Sequence, residues 1–243
     1  MLILIRSIAF NVLFYLNTFV YLIAALPTFL MPYRAIIAVA KSWGRTNVVL
    51  LRAVAGIDVE VRGRDKIPRG PIIVAAKHQS AWETFALLPL FENPLFIVKR
   101  ELEWIPIFGW LMIKGRMVPV NRSAGSQALV AMTERARIEL ADNRQLIIFP
   151  EGTRRPAGAE PRYKYGVAHL YAAEGVPCLP VALNSGVFWP RRSILRLPGT
   201  VVVEILDPIA PGGDKDAFFK RLQHDIETAT ARLIDEAKIA TGR

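Results

Sequence analysis

The sequence predicts an α/β fold, with a largely parallel central sheet flanked by helices and an N-terminal membrane-associated helical segment ahead of it. Three observations predict it. Short continuous apolar runs bounded by breakers recur, among them "PIIVAA" (71–76) and "QLIIFP" (145–150), as strands covered on both faces require. Segments with apolar residues at helical spacing stand between such runs. Before all of these, no charge occurs from Ser7 to Tyr33.

That first run is long enough to cross a bilayer core of about 30 Å. A signal peptide would have a shorter apolar core, followed by a small-residue cleavage site and polar mature sequence. Here "LPTFLMPYRAIIAVA" follows instead. Pro27 and Pro32 divide the run from a second segment, 34–55, in which Lys41, Arg45 and Arg52 interrupt apolar residues. One spanning helix and a two-helix hairpin dipping into one leaflet fit this pattern equally well. In both cases Arg34, Lys41, Arg45 and Arg52 outweigh the lone Arg6, which places the remainder on the cytoplasmic side of a membrane. The expected division is an anchor, 1–55, and an α/β domain, 56–243.

Downstream, "IDVEVRG" (57–63) alternates apolar and polar residues like a half-buried strand. "VPCLPVAL" (176–183) and "TVVVEIL" (200–206) read as further strands. Leu129, Met132, Thr133, Ala136 and Leu140 lie at helical spacing behind a Ser126 cap. The tail, 214–237, repeats the pattern with Phe218, Leu222, Ile226, Ala229 and Leu233. His169 and His224 fall in helix-like segments, where exposed or hydrogen-bonded roles are the default. No internal repeat or low-complexity tract is present.

At 243 residues the chain can build one sizeable core. Apolar residues make up 52% of it, the formal net charge is +10, and the mean hydropathy is positive. A basic, hydrophobic protein suits an anionic membrane surface or a phosphorylated lipid substrate. Nucleic acid is the weaker reading, because the basic residues are scattered and neither a zinc-ligand set nor an RNA-binding aromatic signature occurs. Cys178 is the only cysteine, so no internal disulfide is possible, and it reads as a small buried hydrophobe.

In α/β sheets chemistry gathers where strands end and loops lead into helices. His78 and Glu151 each follow an apolar run directly. On one regular helix, His78 and Glu83 would sit roughly 140° apart. They meet only if His78 lies in the strand-to-helix turn and Glu83 reaches back from the first helical turn. The carboxylate then accepts the Nδ1 proton and leaves Nε2 as a base, and a helix N-terminus would resist protonation of the ring. The nucleophile would be a substrate hydroxyl. Taken alone, however, the pair is better explained as a structural histidine bonded to backbone. Ser80 lacks the Gly-x-Ser-x-Gly elbow of a nucleophile and reads as a helix-start residue.

Three other stretches stand out. In "QLIIFPEGTRR" (145–155), Gly152 permits a tight turn whose amides can bind an anion, and Arg154 and Arg155 add charge for phosphate. "KGRMVPVNR" (114–122) carries Arg122 at a strand mouth, and "GVPCLPVALN" (175–184) brackets an apolar run with prolines. Each by itself is also compatible with a solvated turn or with core.

Together and in this order, the stretches resemble the four blocks of the glycerolipid acyltransferases, the 1-acylglycerol-3-phosphate acyltransferase family. That family has His, four residues, Asp; a block ending in Arg; Phe-Pro-Glu-Gly-Thr-Arg; and a proline-containing apolar block. Residues 149–154 match the third block letter for letter, and "VKRELEWIPIFGW" (98–110) resembles the segment between the first two blocks. The resemblance spans roughly residues 70–184. It implies acyl transfer from a thioester, on CoA or acyl carrier protein, to the 2-hydroxyl of lysophosphatidate. In that reading His78 is the general base and Arg122, Glu151, Gly152, Thr153 and Arg154 bind the glycerol phosphate. A thioester is already activated, so neither a metal nor another cofactor is expected. The implied partners are membrane lipids, a lysophospholipid and the thioester carrier. Two departures concern the acceptor: Glu83 replaces the usual Asp, and Asn121 stands where an acid is common. Rival readings are acylation of another lysolipid or an aminoacyl lipid, and a non-catalytic binder of anionic lipid.

Overall fold

The structure is a computed structural model that describes residues 1–121 and 124–242. Helix α1 (Leu2–Ala24) leads through a 3-10 turn (Leu26–Leu30) to α2 (Tyr33–Leu50), which ends in a widened turn at Leu51–Ala55. The α/β part follows in the order β1 (Ile57–Arg62), β2 (Ile72–Ala76), α3 (Glu83–Ala86), β3 (Pro94–Lys99), α4 (Phe108–Lys114), β4 (Val118–Val120) and α5 (Gly125–Ala141). It continues with β5 (Gln145–Ile148), α6 (Gly166–Glu174), β6 (Cys178–Leu183), α7 (Ser185–Phe188), β7 (Gly199–Ile205) and α8 (Lys215–Thr241). The expected strands and helices are present. β3 is an additional strand that the sequence pattern leaves unmarked, because Pro94 opens it and Lys99 closes it.

The strands form one 7-stranded sheet in the order β1-β7-β6-β2-β5-β3-β4. Every neighbouring pair is parallel except β6 with β7. Side chains of β2 alternate between the two faces, as the pleat demands. Ile72, Val74 and Ala76 join a core with Phe10, Phe85 and Trp189, whereas Ile73 and Ala75 join Met132, Leu140, Leu222 and Ile226 on the other side. The result is three layers, with α1, α2 and α3 on one face and α5, α6 and α8 on the other. Each fully buried Ile or Phe contributes about 1.5–3 kcal/mol of transfer free energy, so central strands without polar residues stabilise the sheet most. Parallel β2, β5 and β3 end at one edge, and the loops that follow β2 and β5 carry His78 and Glu151.

The N-terminal segment shares this core, since Phe10, Leu51 and Ala55 pack in the same cluster as β2 and β6. Its polar side chains face inward. Asn17 donates to Asn47 at 3.1 Å, Trp43 donates to Thr18 at 3.1 Å, and the Tyr21 hydroxyl lies 2.9 Å from both Ser42 and Thr46. Arg196 donates to Asn11 at 2.7 Å, and its amide donates to Ser7 Oγ at 2.8 Å. Ile8, Val12, Leu16, Phe19 and Ile23 point outward and are exposed. This inverts the amphipathic pattern of a helix in water. Among the described residues, the stretch Leu2–Leu30 is the one helical segment long and apolar enough to cross a membrane.

Candidate active site

His78 lies in the loop between β2 and α3, and Glu83 is the first residue of α3. The chain therefore brings the pair together without a regular helix between them. Imidazole Nδ1 stands 3.5 Å from Glu83 Oε2, at the outer limit of a hydrogen bond. That nitrogen is buried and has no aligned hydrogen-bond partner among the described residues, where the Glu83 carboxylate is the charge it meets. α3 has only four residues, so it supplies little of the helix-terminus field expected from the sequence.

Glu83 is fully buried, which makes the number of donors around it decisive. The amides of Gln79 and Ser80 donate to Oε1 at 3.1 Å, and the Ser80 amide also lies 3.1 Å from Oε2. The Ser185 hydroxyl donates to Oε1 in a short contact. Oε1 is thereby saturated and Oε2 is turned towards the imidazole. Ser80 behaves as a turn residue, its hydroxyl accepting the Trp82 amide at 2.9 Å. Gln79 Oε1 accepts the Gly186 amide at 2.9 Å, which ties the loop to the start of α7.

The motif after β5 completes the surroundings. Phe149 stacks on the His78 ring with centroids 3.9 Å apart and planes 13° apart, fixing the ring's tilt. The Arg155 amide donates to the His78 carbonyl at 2.8 Å. Gly152 turns the chain with a φ of +65°, a conformation that suits glycine.

Glu151 is placed differently from a residue that touches substrate. Its side chain is buried in an ion pair with Lys77 at 3.0 Å, and Oε2 accepts the His78 amide at 3.4 Å. Lys77 Nζ also contacts Glu227 of α8 at 2.7 Å, and Tyr163 donates to Glu227 at 2.8 Å. Burial pushes the Glu151 carboxyl above its usual range while Lys77 pulls it back. Burial, then Glu227, raises the Tyr163 phenol. Lys77, Glu227, Tyr163, Phe149 and Ser185 surround the pair and were not singled out from the sequence; the available signals were Lys77, a charge directly after a buried strand, and Phe149, the first residue of the matched third block.

His78 borders a cavity of about 540 Å³ together with Gly152, Thr153 and Arg154. This volume lies in the usual range for a small-molecule site. Beyond that polar end the walls are apolar, with Ile36, Ala40, Leu88, Phe96, Leu111 and Met112 among them. Of the large apolar residues between Phe85 and Trp110, Leu88, Phe96, Ile97, Leu102 and Phe108 reach this cavity, whereas Leu87 and Phe91 are core. α1 and α2 supply one wall. Arg154 makes no hydrogen bond or ion pair among the described residues, which leaves its guanidinium available at the cavity rim. Arg122 lies outside the described residues.

The acyltransferase family model matches residues 58–184. The 1-acyl-sn-glycerol-3-phosphate acyltransferase of Pseudomonas aeruginosa is 36% identical over 83% of this chain and 79% of its own length. The 1-acyl-sn-glycerol-3-phosphate acyltransferase alpha of Homo sapiens is 26% identical over 80% and 71%, respectively. The crystal structure of the 1-acyl-sn-glycerophosphate acyltransferase from Thermotoga maritima superposes with a TM-score of 0.78 at 26% identity, covering 94% of this chain and 96% of that one.

Proposed function

This chain belongs to the acyltransferase family that includes the 1-acyl-sn-glycerol-3-phosphate acyltransferases, and we propose that it moves a fatty acyl group from an acyl thioester to the sn-2 hydroxyl of lysophosphatidate, giving phosphatidate. The observation that carries the proposal is the placement of His78. Its ring lies 3.5 Å from a fully buried carboxylate, between an apolar cavity and an anion-suited turn that ends in Arg154, unpaired among the described residues.

In this mechanism Nε2 of His78 takes the proton of the sn-2 hydroxyl, and the oxygen attacks the thioester carbonyl. The C–O bond forms, the tetrahedral adduct collapses with cleavage of C–S, and the thiolate leaves with the proton carried by the imidazolium. Glu83 stabilises that imidazolium and holds the ring. Gly152, Thr153 and Arg154 take the glycerol phosphate with Arg122, whose role follows the family motif, and Glu151 shapes the loop through Lys77. The acyl chain occupies the apolar part of the cavity. The thioester, on CoA or acyl carrier protein, is already activated, so the chemistry calls for no metal or further cofactor.

The membrane placement follows from α1. Its polar stripe is occupied by α2 and by Arg196, and its outer face is apolar. A helix crossing the bilayer would separate from those partners, leaving several unmade hydrogen bonds in hydrocarbon. We therefore place α1 and α2 within one leaflet, with the sheet on the cytoplasmic side where the basic residues of α2 favour it.

The test is thiol release from oleoyl-CoA with lysophosphatidate present and absent, with the phosphatidate product identified by mass spectrometry. Wild-type protein should release thiol only when lysophosphatidate is present, and His78→Ala should release almost none while keeping its circular dichroism spectrum. Unchanged turnover in His78→Ala would sink the mechanism.

A further inference from the structure

The segment from Lys99 to Lys114 has two faces, and the catalytic reading uses only one of them. Inwardly, Leu102, Phe108, Leu111 and Met112 line the cavity beside His78. Ile107 and Leu111 also pack on Leu22 of α1, on Ala25 just after it, and on Ile36 and Val39 of α2. Outwardly, Trp104 is 72% exposed, Trp110 54% and Ile113 57%. Trp110 and Ile113 are three residues apart on α4 and share its outer side. Two tryptophans this exposed are uncommon on a surface facing only water.

The conformation is enforced rather than loose. Ile107 sits at φ +64° and ψ −58°, and the Phe108 amide donates to the Pro106 carbonyl at 2.7 Å. This is a γ-turn with positive φ, a rare and strained arrangement for a β-branched residue. Gly109 lies so close to the Glu103 carbonyl that an added Cβ would meet that oxygen at 2.0 Å. The turn therefore holds the two tryptophans outward from either side of one rigid corner. Strain of this kind persists where the surroundings over-determine it, and it concentrates at functional segments.

We propose that this corner is a second membrane-contacting element, seating Trp104 and Trp110 at the headgroup level of a phospholipid surface beside α1. Continuity selects lipid as the occupant. Lys114 Nζ donates to the Phe29 carbonyl at 3.2 Å, which joins the corner to the turn between α1 and α2. There Leu30 is 95% exposed, and Phe29 and Met31 are exposed with it. The apolar surface thus runs from the outer face of α1 through that turn to Trp104 and Trp110. Tryptophan, with an apolar body and one N–H donor, favours this interfacial depth, and the exposed Arg100 suits phosphate headgroups. Because the inner face of the same corner walls the cavity, an acyl chain can enter from the leaflet instead of passing through water.

This inference rests on the placement of α1 in one leaflet proposed above, and the experiment separates the two. Full-length protein is mixed with phosphatidylcholine–phosphatidylglycerol vesicles in which part of the phosphatidylcholine carries brominated acyl chains. Co-sedimentation and quenching of tryptophan fluorescence are then read on the same samples. Trp82 and Trp189 are buried and Trp43 lies inside the α1–α2 packing, so the corner should dominate the quenchable signal. W104F/W110F keeps an apolar aromatic ring at each position and should roughly halve the quenched emission or reduce it further, with co-sedimentation retained. Co-sedimentation with the same quenched emission in wild type and W104F/W110F would overturn this inference alone. Loss of co-sedimentation in the wild type would overturn the placement of α1 as well. A tryptophan blue shift that grows with protein concentration in the absence of vesicles would assign the surface to a second copy of the chain, and overturns the lipid assignment.

Discussion

The hydroxyl of Ser185, at the start of α7, donates to the same Glu83 carboxylate that faces the imidazole of His78. Ser185 and Glu83 are 102 positions apart in the chain. The contact shows how a glutamate is held at the position where the family pattern has aspartate. The longer side chain reaches past the loop amides and finds a hydroxyl that fixes one oxygen, leaving the other for the ring.

Ser185→Ala should therefore reduce kcat with little effect on KM. A hydrogen bond to a charged group is worth about 1.5 kcal/mol or somewhat more, so a loss of roughly tenfold is expected. Steady-state kinetics with lysophosphatidate varied at fixed oleoyl-CoA would test this. A rise in KM at unchanged kcat would remove Ser185 from the support of Glu83.

Glu83 itself should be more sensitive. Glu83→Gln retains the shape but removes the charge facing Nδ1, and general base catalysis contributes roughly 100- to 10,000-fold. The variant should lose much of that factor, with His78→Ala losing at least as much. Glu83→Asp withdraws the carboxylate from the ring and from Ser185 and should fall between Gln and wild type. If Glu83→Asp matched the wild type, the reach of the side chain would not matter.

The ion network beneath the loop should control stability before it controls chemistry. Lys77 is 2% exposed and contacts both Glu151 and Glu227. Lys77→Met leaves two carboxylates without their cation, and breaking such a buried pair costs about 3–5 kcal/mol. For a chain of this size the melting temperature should fall by roughly 10 °C. Differential scanning calorimetry reads this directly. Adding Glu227→Gln to Lys77→Met should recover part of the loss, because one stranded charge is then removed.

Cys178 offers a check on the sheet. It is fully buried at the start of β6, and burial pushes its thiol well above the ordinary range. Since the thiolate is the reactive form, native protein at pH 8 should not react with a disulfide reagent on the timescale in which the guanidinium-denatured chain reacts stoichiometrically. Rapid reaction of the folded protein would mean that the centre of the sheet opens.

Several features were legible in the sequence because they depend on local pattern. The apolar runs that became β2 and β6 carry no polar residue, and β5 carries one only at its first position, Gln145. The helical spacing that became α5 and α8 survives in the residues those helices bury. The His78–Glu83 spacing also suffices, since a strand end and a short turn bring the two within reach. β3 stayed hidden, as its proline and lysine blur the run. The first 55 residues read as an apolar segment apart from the domain, but they pack into its core and wall its cavity.

The sequence alone determined the layered α/β class, the order of the four motif blocks and the identity of the histidine and its carboxylate, because strand burial and turn chemistry are written in neighbouring residues. Only the tertiary structure decided that Ser185 and the Gln79 and Ser80 amides hold Glu83, that Lys77 bonds both Glu151 and Glu227, the latter 150 positions away from it, and that α1 presents its polar side inward. Those contacts arise between elements distant in the chain, and hydrogen bonds to buried charges are set by where the layers close on one another, which no local pattern records.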